Sequence, residues 1–208
     1  MDKSENKHIY YFFHDVVNYL TPFMASFTFL EKAHLGEVDH SKKDFYLNLG
    51  KRSLNDLNNL CHMYRLLLID DYRLNKEEVF LDEMIENTLD TLSYSFDVER
   101  INISNLLPLD FKVIADKTLL TQCFLNILKN AIEHQKNCEK KSIEISYEFQ
   151  KICISNPIDK SNDEATRRGI GMELMRDAFK RLGFNMNYIK SDSQFRVVIS
   201  TAELKLDN

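Results

Sequence analysis

The first third of the chain carries an apolar period that leaves little choice of fold. Ile9, Phe13, Val16, Leu20, Phe23, Phe27 and Leu30 are separated alternately by four and three residues. That is the period of a helix face packing along other helices at shallow angles. It returns from about Asp44 to Tyr72 in Leu47, Leu54, Leu57, Cys61, Tyr64 and Leu68, with Gly50 interrupting one position. Between the two runs lies HLGEVDHSKKD, in which Gly36 reads as a helix stop. Two long helices on a short loop make a helical hairpin. Leu60, Met63 and Leu67 widen the second helix's stripe beyond what one neighbour covers. Pairing of two hairpins into a four-helix bundle is therefore expected, and with it a homodimer.

His14 stands one residue off this seam. The residues sharing its own stripe are Asn18, Thr21, Ala25 and Thr28, all small or polar. This places His14 on the shoulder of a bundle, facing solvent or a docking protein. Asp15 follows directly, where a carboxylate can accept the imidazole proton and leave a ring nitrogen nucleophilic. Asn18, one turn on, is placed to orient a water or a phosphoryl oxygen. A plain surface histidine has the same spacing, so three residues equip the site without proving its use.

From RLNKEEV onward the period changes to alternating helices and strands, which puts a boundary near Arg73–Glu78 and two domains at 1–75 and 76–208. Leu81, Met84, Ile85, Thr88, Leu89 and Leu92 mark a helix, and short strands are expected at Ile101–Ser104 and Phe111–Ala115. Asp116 caps the next helix, whose broad apolar face is Leu119, Leu120, Cys123, Phe124, Ile127, Leu128 and Ala131. SIEISYEF and KICIS alternate as strands, with QK between them read as a hairpin turn. A last helix is expected from about Gly171 to Leu182, then strands at Phe184–Ile189 and Gln194–Thr201. The fold class is α+β: a helical hairpin, then an α/β sandwich with helices over one face of a mixed, largely antiparallel sheet.

Composition narrows the partners. Apolar residues at 44% suffice for a core, and a formal charge of −5 gives no pull toward nucleic acid or an anionic membrane. Cys61, Cys123, Cys138 and Cys153 show no C-x-x-C spacing and read as small buried hydrophobes in a reducing, cytoplasmic setting. No run approaches 18 apolar residues, so no membrane segment is expected in this chain.

Two motifs of the second domain carry chemistry. In LNILKNAIEH, the residues Asn126, Asn130, Glu133 and His134 share one side of an otherwise apolar helix. Amide oxygens there are hard ligands suited to hydrated magnesium on phosphates, and an ordinary solvated helix edge has the same pattern. In RRGIGMELM, Gly169 and Gly171 precede helix-forming residues, where a turn without side chains lets phosphate approach backbone N–H groups, or simply joins loop to helix. Asn156, in ISNPID, ends a strand at an edge where ligands dock. No Walker P-loop and no G-x-G-x-x-G after a strand is present.

In order and spacing, FFHDVVNYL, DKTLLTQCFLNILKNAIEH and RRGIGMELM resemble the H-box, N-box and last glycine box of two-component sensor histidine kinases, from about Ile9 to Thr201. The resemblance implies a dimerisation and phosphotransfer hairpin followed by a Bergerat-type ATP-binding sandwich. It implies that His14 is the phosphorylated residue, Asp15 its base, and Asn18 the residue that positions water or phosphoryl during dephosphorylation of a partner. Asn130, with Asn126 nearby, would hold Mg2+ and the phosphates of ATP; Gly169 and Gly171 would line the phosphate side. The implied partner is a response regulator receiver domain. The family's D-x-G-x-G aspartate is replaced by Asn156 in NPID, thirteen positions before Gly169, so the nucleotide lid is short. Pro22 sits eight residues after His14 and is expected to bend the first helix. Two functions remain open: an ATP-dependent histidine kinase, or a histidine phosphotransferase relaying phosphate between receivers beside a vestigial second domain. A purely structural dimeric adaptor would make His14 incidental.

Overall fold

The structure, a computed structural model, describes the backbone of residues 3–38, 40–68, 73–94, 96–135, 137–158 and 170–200. The chain divides into two compact units, Met1–Asp70 and Asp71–Asn208.

The first unit is the hairpin. Helix α1 spans Lys3–His34 and helix α2 Lys43–Leu68, joined through a short 3₁₀ turn at His40–Lys42. Helix α1 ends as a Schellman cap: Gly36 has φ 74°, and the Glu37 N–H donates to the Lys32 carbonyl at 2.9 Å. Helical assignment is unbroken through Pro22. The packed seam keeps Val16, Phe23 and Leu30 of the one expected but turns away from the rest, and the Ile9 side chain lies outside the described ones. Phe13, Leu20 and Phe27 are exposed, at 61%, 38% and 58%. The inner face is instead Phe12, Val16, Tyr19, Phe23, Ser26, Leu30 and Ala33, again in steps of four and three. Phe12 meets Tyr64 edge-on at 4.7 Å, and Phe29 stacks on Tyr46 at 3.9 Å. Between the helices, the Ser26 hydroxyl donates to the Tyr46 carbonyl at 2.6 Å, and a Cβ on Gly50 would collide with Ser26. On α2, Leu60, Met63 and Tyr64 are buried, Tyr64 against Phe12, and Leu67 lies outside the described side chains. The uncovered apolar stripe belongs mainly to α1: Phe13, Val17, Leu20, Met24 and Phe27.

The second unit runs β1 (Lys76–Phe80), α3 (Leu81–Ser93), β2 (Asn102–Leu106), β3 (Lys112–Asp116), α4 (Lys117–His134), β4 (Ser142–Glu148), β5 (Lys151–Pro157), α5 (Ile170–Leu182), β6 (Asn185–Lys190) and β7 (Gln194–Ser200). Strands β1 and β3 form a separate antiparallel pair. The main sheet has the order β2-β4-β5-β7-β6, parallel only between β2 and β4. Ile143, Ile145, Ile152, Ile154, Val197 and Ile199 share one face and are almost wholly buried. Leu120 and Phe124 of α4 and Phe179 of α5 close on that face, with the two phenylalanines edge-to-face at 6.1 Å. The opposite face carries Glu144, Glu148 and Lys151, all exposed. Helices on one face of a mixed sheet are the expected sandwich. The β4–β5 turn is made not by Gln150 and Lys151 but by Phe149 and Gln150, both left-handed at φ 50° and 61°, a reversal without glycine that the sequence does not announce.

Candidate functional site

Helix α1 carries His14 and Asn18 one turn apart, both exposed, and the other members of their stripe, Thr21, Ala25 and Thr28, are exposed as well. The Asn18 Nδ2 lies 3.1 Å from the His14 Nδ1. With the Asn18 amide N–H as donor, Nδ1 is the acceptor of this contact, an arrangement that suits the tautomer protonated on Nε2. Asp15 is in the same helical turn, and its side chain lies outside the described ones.

In the second unit, the N-terminus of α4 is fixed by Asp116. One carboxylate oxygen accepts from the Leu119 N–H and the other from the Asn75 N–H, each at 2.9 Å. The helix then buries Leu119, Leu120, Cys123, Phe124, Ile127, Leu128, Ala131 and Ile132. Its polar edge keeps Asn126, Asn130 and Glu133 half-buried, and His134 at the surface. Partial burial, and secondarily the Lys190 ammonium, lower the His134 pKa below the ordinary 6.5, so its ring is neutral at pH 7. Gln122, one turn before Asn126, continues this edge, and its Oε1 is buried with no hydrogen-bond partner. In the sequence Gln122 is one more polar residue of a helix edge, and only the burial of its amide oxygen sets it apart.

Asn156 is 3% exposed, near the end of β5. By strand alternation it shares the helix-facing side with Ile152 and Ile154. Its amide nitrogen donates to the Pro157 carbonyl at 2.8 Å, which leaves the amide oxygen as its acceptor. Directly across the ladder is Phe195, stacked on Tyr188 at 5.7 Å; Lys190 is Phe195's partner on β6. Sequence reasoning missed this aromatic pair, since in NMNYIK and SQFRVVIS each ring looks like part of an ordinary strand. Gly171 lies in the first turn of α5, and Gly169 lies outside the described residues.

These residues suit a metal-bound nucleotide. Among the described residues no group of three or more His, Cys, Asp or Glu side chains is placed to hold a metal. A hard cation here would depend on the amide oxygens of Asn126 and Asn130 and on the nucleotide's own phosphates. The Gln122 oxygen, on the same edge one turn before Asn126, is short of a donor, and Asn156 with Phe195 across the ladder offers an acceptor beside an aromatic ring.

A helical hairpin followed by a sandwich of this topology is the architecture of histidine kinase cores, and this chain has that fold. Solved structures similar to it include the Acinetobacter baumannii histidine kinase AdeS (TM-score 0.63, 19% identity, covering 88% of this chain and 96% of that one). The histidine kinase ThkA in complex with response regulator protein TrrA matches at TM-score 0.59 and 17% identity over 95% of this chain and 60% of that one. The cytoplasmic segment of histidine kinase QseC matches at 0.52 and 15%, over 74% and 94%. No family model and no curated protein sequence matches the chain. No helix among the described residues is long and apolar enough to cross a membrane.

Proposed function

We propose that this chain is the core of a two-component histidine kinase, phosphorylated on His14 from ATP and passing the phosphoryl group to an aspartate of a response regulator. The observation that carries the reading is the exposed His14 imidazole held by Asn18 on the polar stripe of α1, on a chain whose second unit has the fold of a kinase nucleotide domain. In the transfer, a His14 ring nitrogen forms a bond to the γ-phosphorus as the bond to the ADP oxygen breaks. Attack from Nε2 needs the ring proton moved to Nδ1, which reverses the Asn18 contact. Asn18, its amide turned to present oxygen, or Asp15 then accepts that N–H. Asn126 and Asn130 would hold magnesium, which neutralises phosphate charge when bound. Glu133 and His134 border the same pocket, Gly169 and Gly171 take its phosphate side, and Asn156 accepts from the base. A receiver docks over Asn18, Thr21, Ala25 and Thr28, where Asn18 can orient water for dephosphorylation.

The uncovered stripe Phe13–Val17–Leu20–Met24–Phe27 favours a homodimer in which a second hairpin completes the bundle.

One observation favours a second reading. Asn156 is a neutral amide where the family's carboxylate accepts from adenine, and a neutral acceptor is weaker. A phosphotransferase that uses His14 alone tolerates that change. Titration with magnesium and a non-hydrolysable ATP analogue, then labelling with γ-labelled ATP, separates the two. Saturable binding and acid-labile label lost in His14→Gln support the kinase. No binding, with label taken from a phosphorylated receiver, supports the relay.

A further inference from the structure

Gln122 lies four residues before Asn126 and eight before Asn130, so the three amides climb one edge of α4 in steps of about 6 Å. Its Oε1 is buried and accepts no hydrogen bond. A buried amide oxygen without a donor loses its hydration uncompensated, and such atoms are scarce enough that each requires a reason. Gln135 shows the contrast: its Oε1 accepts from the Ser142 N–H at 2.8 Å and ties the end of α4 to the start of β4. The Gln122 oxygen serves no such contact.

We propose that Gln122 is a positioning residue of the nucleotide site, its amide oxygen accepting a hydrogen bond from a water of the magnesium held by Asn126 and Asn130. This rests on the nucleotide reading above. Magnesium gives up its waters reluctantly and usually keeps several. Each is an O–H donor, whereas ionised phosphate oxygens only accept. An acceptor beside the two asparagines therefore suits the hydrated cation rather than the phosphates. Glutamine is one methylene longer than asparagine, which favours contact with a water outside the ion over contact with the ion itself.

The test is calorimetric titration of wild type, Gln122→Met and Gln122→Glu with a non-hydrolysable ATP analogue, in magnesium and in EDTA, alongside melting curves without nucleotide. Gln122→Met is expected to melt no lower than wild type, because an unpaired acceptor is replaced by a thioether of equal length. It is expected to bind about fivefold more weakly in magnesium and equally in EDTA, and Gln122→Glu restores the magnesium affinity. A lower melting temperature for Gln122→Met without nucleotide would show that the oxygen serves the fold, and would overturn the proposal. So would equal affinities of Gln122→Met and wild type in magnesium, which leave the nucleotide reading standing, or an equal loss in both buffers. Failure of wild type to bind in magnesium removes both.

Discussion

His14 and His134 sit in surroundings that differ in kind. His14 is exposed on a polar stripe, so His14→Gln is expected to leave the melting temperature unchanged while abolishing phosphorylation; a lost fold instead would contradict the exposure. His134 is neutral at pH 7 because desolvation and the Lys190 charge disfavour its protonated form. Its folded pKa lies below the unfolded one. Its contribution to stability is complete above pH 6.5 and fades as pH falls through the folded value. Lys190→Met is expected to raise the His134 titration midpoint toward 6.5, read by NMR; an unmoved midpoint would contradict the pairing. Thiol chemistry divides similarly. Cys61 is exposed, against the expectation of a buried thiol, whereas burial raises the pKa of Cys123 and Cys153. Alkylation of the folded protein is expected at Cys61 first, with Cys123 and Cys153 reacting only on unfolding.

Each helix depends on a small number of contacts. Gly50→Val is expected to cost about 1–3 kcal/mol in urea unfolding, because Ser26 already fills the space a side chain would need. Asp116→Ala removes the acceptors of two backbone N–H groups and is expected to cost about 2 kcal/mol. These two contacts also explain what could be read in advance. Helix α4 was legible because its cap and broad apolar face agree. The seam of α1 was legible at Val16, Phe23 and Leu30 and misread at Phe13, Leu20 and Phe27, because both candidate stripes step by four and three. The stripe richer in large apolar residues looked like the core, yet close approach selects small ones, Ser26 opposite Gly50. Strand β1 was not anticipated: in KEEVF only Val79 is fully buried, so no alternation shows. His14, Asn126, Asn130 and Asn156 could be singled out from the sequence, because amides and imidazoles on apolar elements stand out. Gln122 and Phe195 could not, because their meaning comes from burial and cross-strand register.

At the scale of the molecule, the proposed function would divide labour between a hairpin that carries phosphorus and a sandwich that supplies it. The uncovered α1 stripe is the surface the proposed homodimer would bury. Leu20→Glu with Phe27→Glu is expected to halve the mass seen by light scattering while leaving helix content unchanged, and an unchanged mass would refer the stripe to another partner. The most direct measurement is phosphate mapping by mass spectrometry at neutral to alkaline pH, after exposure to magnesium–ATP. The account predicts one acid-labile phosphate, on His14. Phosphate on another residue, or none on His14 from ATP or from a phosphorylated receiver, would contradict it.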